Sequence, residues 1–205
     1  MKQPKSVRTL EEFGRIQLSP NFFMRDFLYS EIAAIHGVPN IPDDPDLAIA
    51  AGRRLCTELL EPLQASFGRI AIRSAYRSCA VNTFGNENGY NCAVNESNYA
   101  GHIWDRRDAG GHMGATACIV VPWFLPRYRK TGDWRPLAWW VHDHLPYSDM
   151  EFYRKLSAFN LTWHEKPWRT IRCVFGPHRG YLTQPGAANH AGSHARLYRG
   201  FPRLR

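Results

Sequence analysis

The segment GHIWDRRDAGGHMGATACIVVP, residues 101–122, limits what this chain can become more than any other stretch. It ends in Ala117-Cys118-Ile119-Val120-Val121, a β-branched run closed by Pro122 that predicts a buried strand. Ahead of the strand stand His102, His112, several acids and four glycines, Gly101, Gly110, Gly111 and Gly114. Glycines let one backbone come close to another. Histidine, aspartate and cysteine gathered beside a rigid strand is the arrangement expected of a metal or active site. The alternative is a polar loop leading into a core strand, and the residues alone leave both open.

Periodicity places the neighbours of that strand. Leu47, Ala51, Leu55 and Leu59 recur every fourth residue, which predicts a core helix capped by Asp46 and ending between Pro62 and Gly68. Residues 69–74 alternate, predict a strand and run into Ala75-Tyr76-Arg77-Ser78. Residues 79–100 are rich in Asn and Gly and predict a long loop. Asp133 is placed to cap a second helix carrying Trp134, Leu137, Val141 and His144, with Pro136 tolerated in its first turn. Ser148 followed by Glu151 matches a capping box and predicts a third helix bearing Met150, Tyr153, Leu156 and Phe159. Strands are expected over 161–164 and 170–175, and Trp139, Trp140, Trp163 and Trp168 are assigned to the core. The domain spans residues 21–175, between an N-terminal arm at 1–20 and a C-terminal tail at 176–205.

A chain of 205 residues with 44% hydrophobic and 13% aromatic content is long enough for one well-filled core. No apolar run approaches the roughly 20 residues of a membrane span. MKQPKSVRTLEEF holds no apolar core of a secretory signal, so cytoplasmic synthesis is expected. The net charge of +8 favours acidic partners. No nucleic-acid motif accompanies that charge, which disfavours DNA or RNA. Five cysteines, an odd number, argue against a full disulfide framework, and a Cys79–Cys92 pair is left undecided.

Taken in order, the apolar helix ending Leu59-Leu60-Glu61-Pro62-Leu63, the strand into Tyr76-Arg77-Ser78, the His/Gly stretch into Cys118, and Glu165-Lys166-Pro167-Trp168-Arg169 resemble the zinc D-alanyl-D-alanine carboxypeptidase/dipeptidase family. That family includes phage cell-wall hydrolases, and the similarity covers residues 18–175. The resemblance implies a hedgehog-like α+β fold, a small antiparallel sheet packed against helices, with extended N- and C-terminal arms. It implies that Arg77, flanked by Tyr76 and Ser78, binds a substrate carboxylate and that Glu165 is the general base. It implies zinc held by ligands at or near His102, His112, Cys118 and His164.

The family's motifs are altered here. Cys118 stands at the aspartate position, His112 is one residue out of register with His102 as its replacement, and Arg169 stands where the third ligand belongs. Thiolate is a good zinc ligand, whereas a guanidinium has no lone pair to offer. Zinc then requires a substitute from His164, His178, His190 or His194. Without one, the site holds no metal, and Arg169 either joins Arg77 in an anion-binding cleft or pairs with Glu165 or Asp105 and faces no site. The resemblance therefore implies a catalytically degenerate module that binds bacterial cell-wall peptide or an anionic surface glycan. Such a module would assemble through its arms, for instance into a phage-like particle. The alternative it implies is an active zinc peptidase that cuts cell-wall peptides.

Overall fold

The structure, a computed structural model, describes residues 1–177 and 179–205. In chain order its elements are α1 (Val7–Gly14), β1 (Gln17–Ser19), β2 (Phe22–Phe23), α2 (Glu31–His36), α3 (Pro45–Leu55), α4 (Glu61–Phe67), β3 (Ala71–Ser74), α5 (Cys79–Glu87), α6 (Asn95–Asn98), β4 (Gly114–Val120), α7 (Leu125–Thr131), α8 (Arg135–His144), β5 (Asp149–Phe152), β6 (Phe159–His164), β7 (Thr170–Cys173) and β8 (Gly180–Thr183). The class is α+β. The antiparallel β1–β2 pair is small, and the main sheet has six strands in the order β3-β4-β6-β5-β7-β8. That sheet is mixed, because β5 and β7 run parallel.

The expected core helix starts two residues early. Asp44 caps it by accepting a hydrogen bond from the Leu47 N–H, and Pro45 takes the first turn. Between α3 and α4 the helix passes through a π-helical turn over Cys56–Leu60, where the Glu61 N–H reaches the Cys56 carbonyl. Pro62 follows at once, and a proline ring clashes with the carbonyl one turn back, so the wider turn accommodates it.

Three other expectations are corrected. The helix predicted from Ser148 is strand β5, with Met150 and Phe152 facing the core and Asp149 and Glu151 facing away. Ser148 Oγ accepts the Trp168 N–H instead of capping a helix. The predicted loop 79–100 contains α5, whose N-terminus Ser78 caps through Val81 N–H, and then α6. The N-terminal segment carries α1, and its Phe13 is fully buried in the common core.

Alternation gives the sheet two unlike faces. Ala115, Ala117, Ile119, Phe159, Leu161, Met150, Phe152 and Ile171 point into the core with Leu55, Leu59 and Leu63. Trp139, Trp140 and Trp163 are buried as expected, whereas Trp168 is exposed. No helix is long and apolar enough to cross a membrane among the described residues.

Candidate ligand cleft

The other face of the sheet is polar. Register sets Cys118 opposite Asn160, Asn160 opposite Glu151, and Glu151 beside Arg172. The next row is Thr116, Thr162, Asp149 and Thr170. Hydrogen bonds knit both rows. Arg172 Nη2 pairs with Glu151 Oε2 at 2.7 Å, the Tyr153 hydroxyl donates to Glu151, and Asn160 Nδ2 donates to Tyr153 at 2.9 Å. The Thr116 and Thr162 hydroxyls meet at 2.8 Å.

His102 joins this face from the loop before β4. Its Nδ1 lies 2.7 Å from the Ala75 carbonyl, an acceptor only, so that nitrogen carries the proton. Burial, and then the nearby Arg77, lower its pKa from 6.5 to about 3. The ring is therefore neutral, and Nε2 is left as an acceptor for its hydrogen bond with Asn160. Burial raises the Cys118 thiol to about 11 despite the pull of Arg73 and Arg77, so it is protonated at neutral pH.

Arg77 is held at the border of this face. Its N–H donates to the His102 carbonyl at 2.9 Å. Asn40 clamps both neighbours, donating to the Tyr76 carbonyl at 3.0 Å and accepting the Ser78 N–H at 2.7 Å. Arg77 Nη1 makes long contacts to Asn82 Oδ1 at 3.4 Å and Cys92 Sγ at 3.3 Å. Among the described residues no carboxylate lies within ion-pair distance of it. Beside it opens a cleft of about 340 Å³, lined by Tyr29, Glu31, Ile32, Ile35, Ser74 and Tyr90 among others. Of Tyr76 and Ser78, expected to touch substrate, Tyr76 contributes to the wall of the cleft and Ser78 is buried outside it.

The residues expected at the far end of the motif stand elsewhere. Arg169 does not join Arg77. Its guanidinium donates to the carbonyls of His142 at 2.7 Å, Leu145 at 2.7 Å and Tyr147 at 3.3 Å, and lies over the Tyr147 ring at 4.2 Å. It thus satisfies the C-terminal end of α8. Glu165 accepts from Met113 N–H at 2.7 Å and sits beyond the end of β6. Four residues separate the Gly114–His164 pair from the Cys118–Asn160 pair, about 13 Å along the strands. Glu165 is therefore too far from His102 and Cys118 to serve as their base. His112 and His164 sit with Glu165 at that distant end, around Asp108.

Zinc can be tested against the polar face beside the cleft by its donors. His102 and Cys118 suit the ion, but the third neighbour is the Asn160 amide, and the field of Arg77 opposes a cation. The set does not amount to a three-ligand zinc site. A different trio could hold a metal ion: His142, Asp143 and His194 each offer an atom within 4.8 Å of the others. Those histidines are already engaged. His142 bonds Tyr147 at 2.6 Å and the His190 carbonyl at 2.8 Å, and His194 bonds Asp143 at 2.7 Å and the Asn189 carbonyl at 2.9 Å. His178 lies outside the described residues, and the five cysteines are free thiols.

Sequence reasoning missed Asn160, Glu151 and Tyr153. The predicted strand began at Leu161, two residues late, and the helix predicted from Ser148 placed the other two on a different element. The polar alternation Asn160-x-Thr162 was the available signal. Comparison of the chain with protein-family models, with curated proteins and with solved structures finds no match.

Proposed function

We propose that this chain is a non-hydrolytic binding module that holds a carboxylate-ended peptide of bacterial cell-wall type in the Arg77 cleft. The reading is supported by one observation above others: a guanidinium without a carboxylate partner beside an aromatic-walled cleft. A planar guanidinium binds a carboxylate through two parallel hydrogen bonds, and Tyr29, Ile32 and Tyr90 offer apolar surface to the rest of a ligand. Hydrolysis has little support. The thiol of Cys118 is protonated, the ring of His102 is tied to Ala75 and Asn160, and the expected base Glu165 is remote. The family resemblance in residues 18–175 motivates the cell-wall assignment and the proposed place in a phage-like or surface assembly.

The deciding experiment is calorimetric titration with short cell-wall stem peptides ending in a free carboxylate, beside the same peptides as C-terminal amides. The acid form should bind and the amide should not. Arg77→Ala should weaken binding by about 10- to 100-fold, the worth of a charge-assisted pair. Arg77→Lys should lose about tenfold, because the ammonium keeps the charge and loses the fork. Equal binding of the amide, or binding only of an anionic glycan, overturns the peptide assignment. Chelator-sensitive cleavage of the peptide overturns the non-hydrolytic one.

A further inference from the structure

We propose that the face formed by α7, the turn between β5 and β6 and the C-terminal segment binds single-stranded nucleic acid, independently of the reading given to the Arg77 cleft. No sequence motif announces such a surface. Its cations come from three separate stretches, Arg127-Tyr128-Arg129-Lys130, Arg154-Lys155 and Arg199, and meet only on folding. Arg127 Nη1 donates to the Arg199 carbonyl at 3.2 Å. The Tyr128 hydroxyl donates to the Arg154 carbonyl at 2.7 Å. These two bonds bring the turn and the tail onto α7.

All six basic residues are exposed. Among the described residues none of them makes an ion pair. Asp133, which follows α7, is bonded to Arg135 at 2.7 Å. Like charges gathered without counter-charge repel one another, and a polyanion relieves that repulsion.

An aromatic platform stands beside these cations. Trp123 is 44% exposed. Its ring meets Phe201 edge-on at 5.2 Å and Phe67 at 5.2 Å. Arg127 lies over the same Phe201 ring at 5.0 Å, which sets the indole next to the basic patch. Contact with two rings steadies the indole and leaves part of it open to a ligand.

These features select among polyanions. Four of the six cations are arginine, whose planar fork fits phosphate oxygens. An exposed indole beside them stacks on a nucleobase, which a polyol phosphate or an acidic peptide does not offer. A duplex hides its bases, and its major groove admits a helix or a two-stranded ribbon. Here the patch is built from a seven-residue helix, a turn and a tail, so an unpaired strand fits it better.

The test uses the full chain and a fluorescein-labelled oligothymidylate of about 20 nucleotides, with anisotropy read over a series of salt concentrations. The oligonucleotide should bind saturably at low salt. Affinity should fall steeply as salt rises, each phosphate contact adding about 0.7 to the log–log slope. Arg129→Ala combined with Lys130→Ala, both exposed, should reduce that slope by about 1.4. Trp123→Ala should weaken binding by about 5- to 100-fold at an unchanged slope, with circular dichroism confirming the fold. Arg77→Ala should leave the titration as it was. No saturable binding at low salt, or an unchanged slope in the double variant, overturns the surface. Loss of binding in Arg77→Ala alone does so too, and moves the anion to the cleft. Equal affinity for a duplex of the same length, or for poly(glycerol phosphate), overturns the single-strand assignment.

Discussion

Arg77 and Arg169 carry the same guanidinium in two unlike settings. Arg169 sits at φ +57°, a left-handed conformation costly for a residue with a Cβ, and spends its donors on three carbonyls at the end of α8. Replacing it by alanine would strand those carbonyls and remove the contact with Tyr147. The expected loss is about 2 to 3 kcal/mol, read as a lower urea midpoint at unchanged slope. Peptide affinity at Arg77 should be untouched. A fall in affinity with no fall in stability would return Arg169 to the cleft. The sequence alone could not separate the two arginines, because its motif counting assumed that residues near Glu165 face Cys118. The pairing of β4 with β6 carries that end about 13 Å away.

At the level of elements, the apolar stripe on α3 and the β-branched run in β4 were legible because each burial pattern has a single period. Strand β5 was not. Ser148 and Glu151 have the spacing of a capping box, and local pattern lost to the alternation of Met150 and Phe152 against the sheet. The site was partly legible: Arg77 was found for the cleft, His102 and Cys118 for the polar sheet face beside it, and Asn160 on that face fell outside the predicted strand.

Close contact between elements also explains Gly52 in α3, where a Cβ would lie 2.9 Å from Trp104 and 3.1 Å from Leu18. Alanine is the better helix former by about 1 kcal/mol, yet overpacking here should win. Gly52→Ala is expected to lower stability by about 1 to 2 kcal/mol in denaturant melts. A gain would mean that Trp104 yields easily.

For the whole molecule, His102 sets a pH dependence. It is neutral and buried when folded, with its pKa lowered to about 3, and it titrates near 6.5 when unfolded. Between those values the unfolded chain binds the extra proton, so stability is full above pH 6.5 and falls as pH drops toward 3. At pH 4 the loss from this ring is on the order of 3 kcal/mol. His102→Gln should flatten the plot of unfolding free energy against pH over that window. An unchanged slope would show that other groups govern acid sensitivity.

The order of strands has a kinetic consequence. Ile72 on β3 pairs with Ile119 on β4, and the chain between them includes α5, α6 and the whole histidine-bearing loop. The edge of the sheet that carries Arg77 thus closes only after a long excursion of chain has been gathered in, at a loop entropy that no local contact offsets in advance. The helices can form early, but this border of the molecule is expected to be among the last parts to assemble.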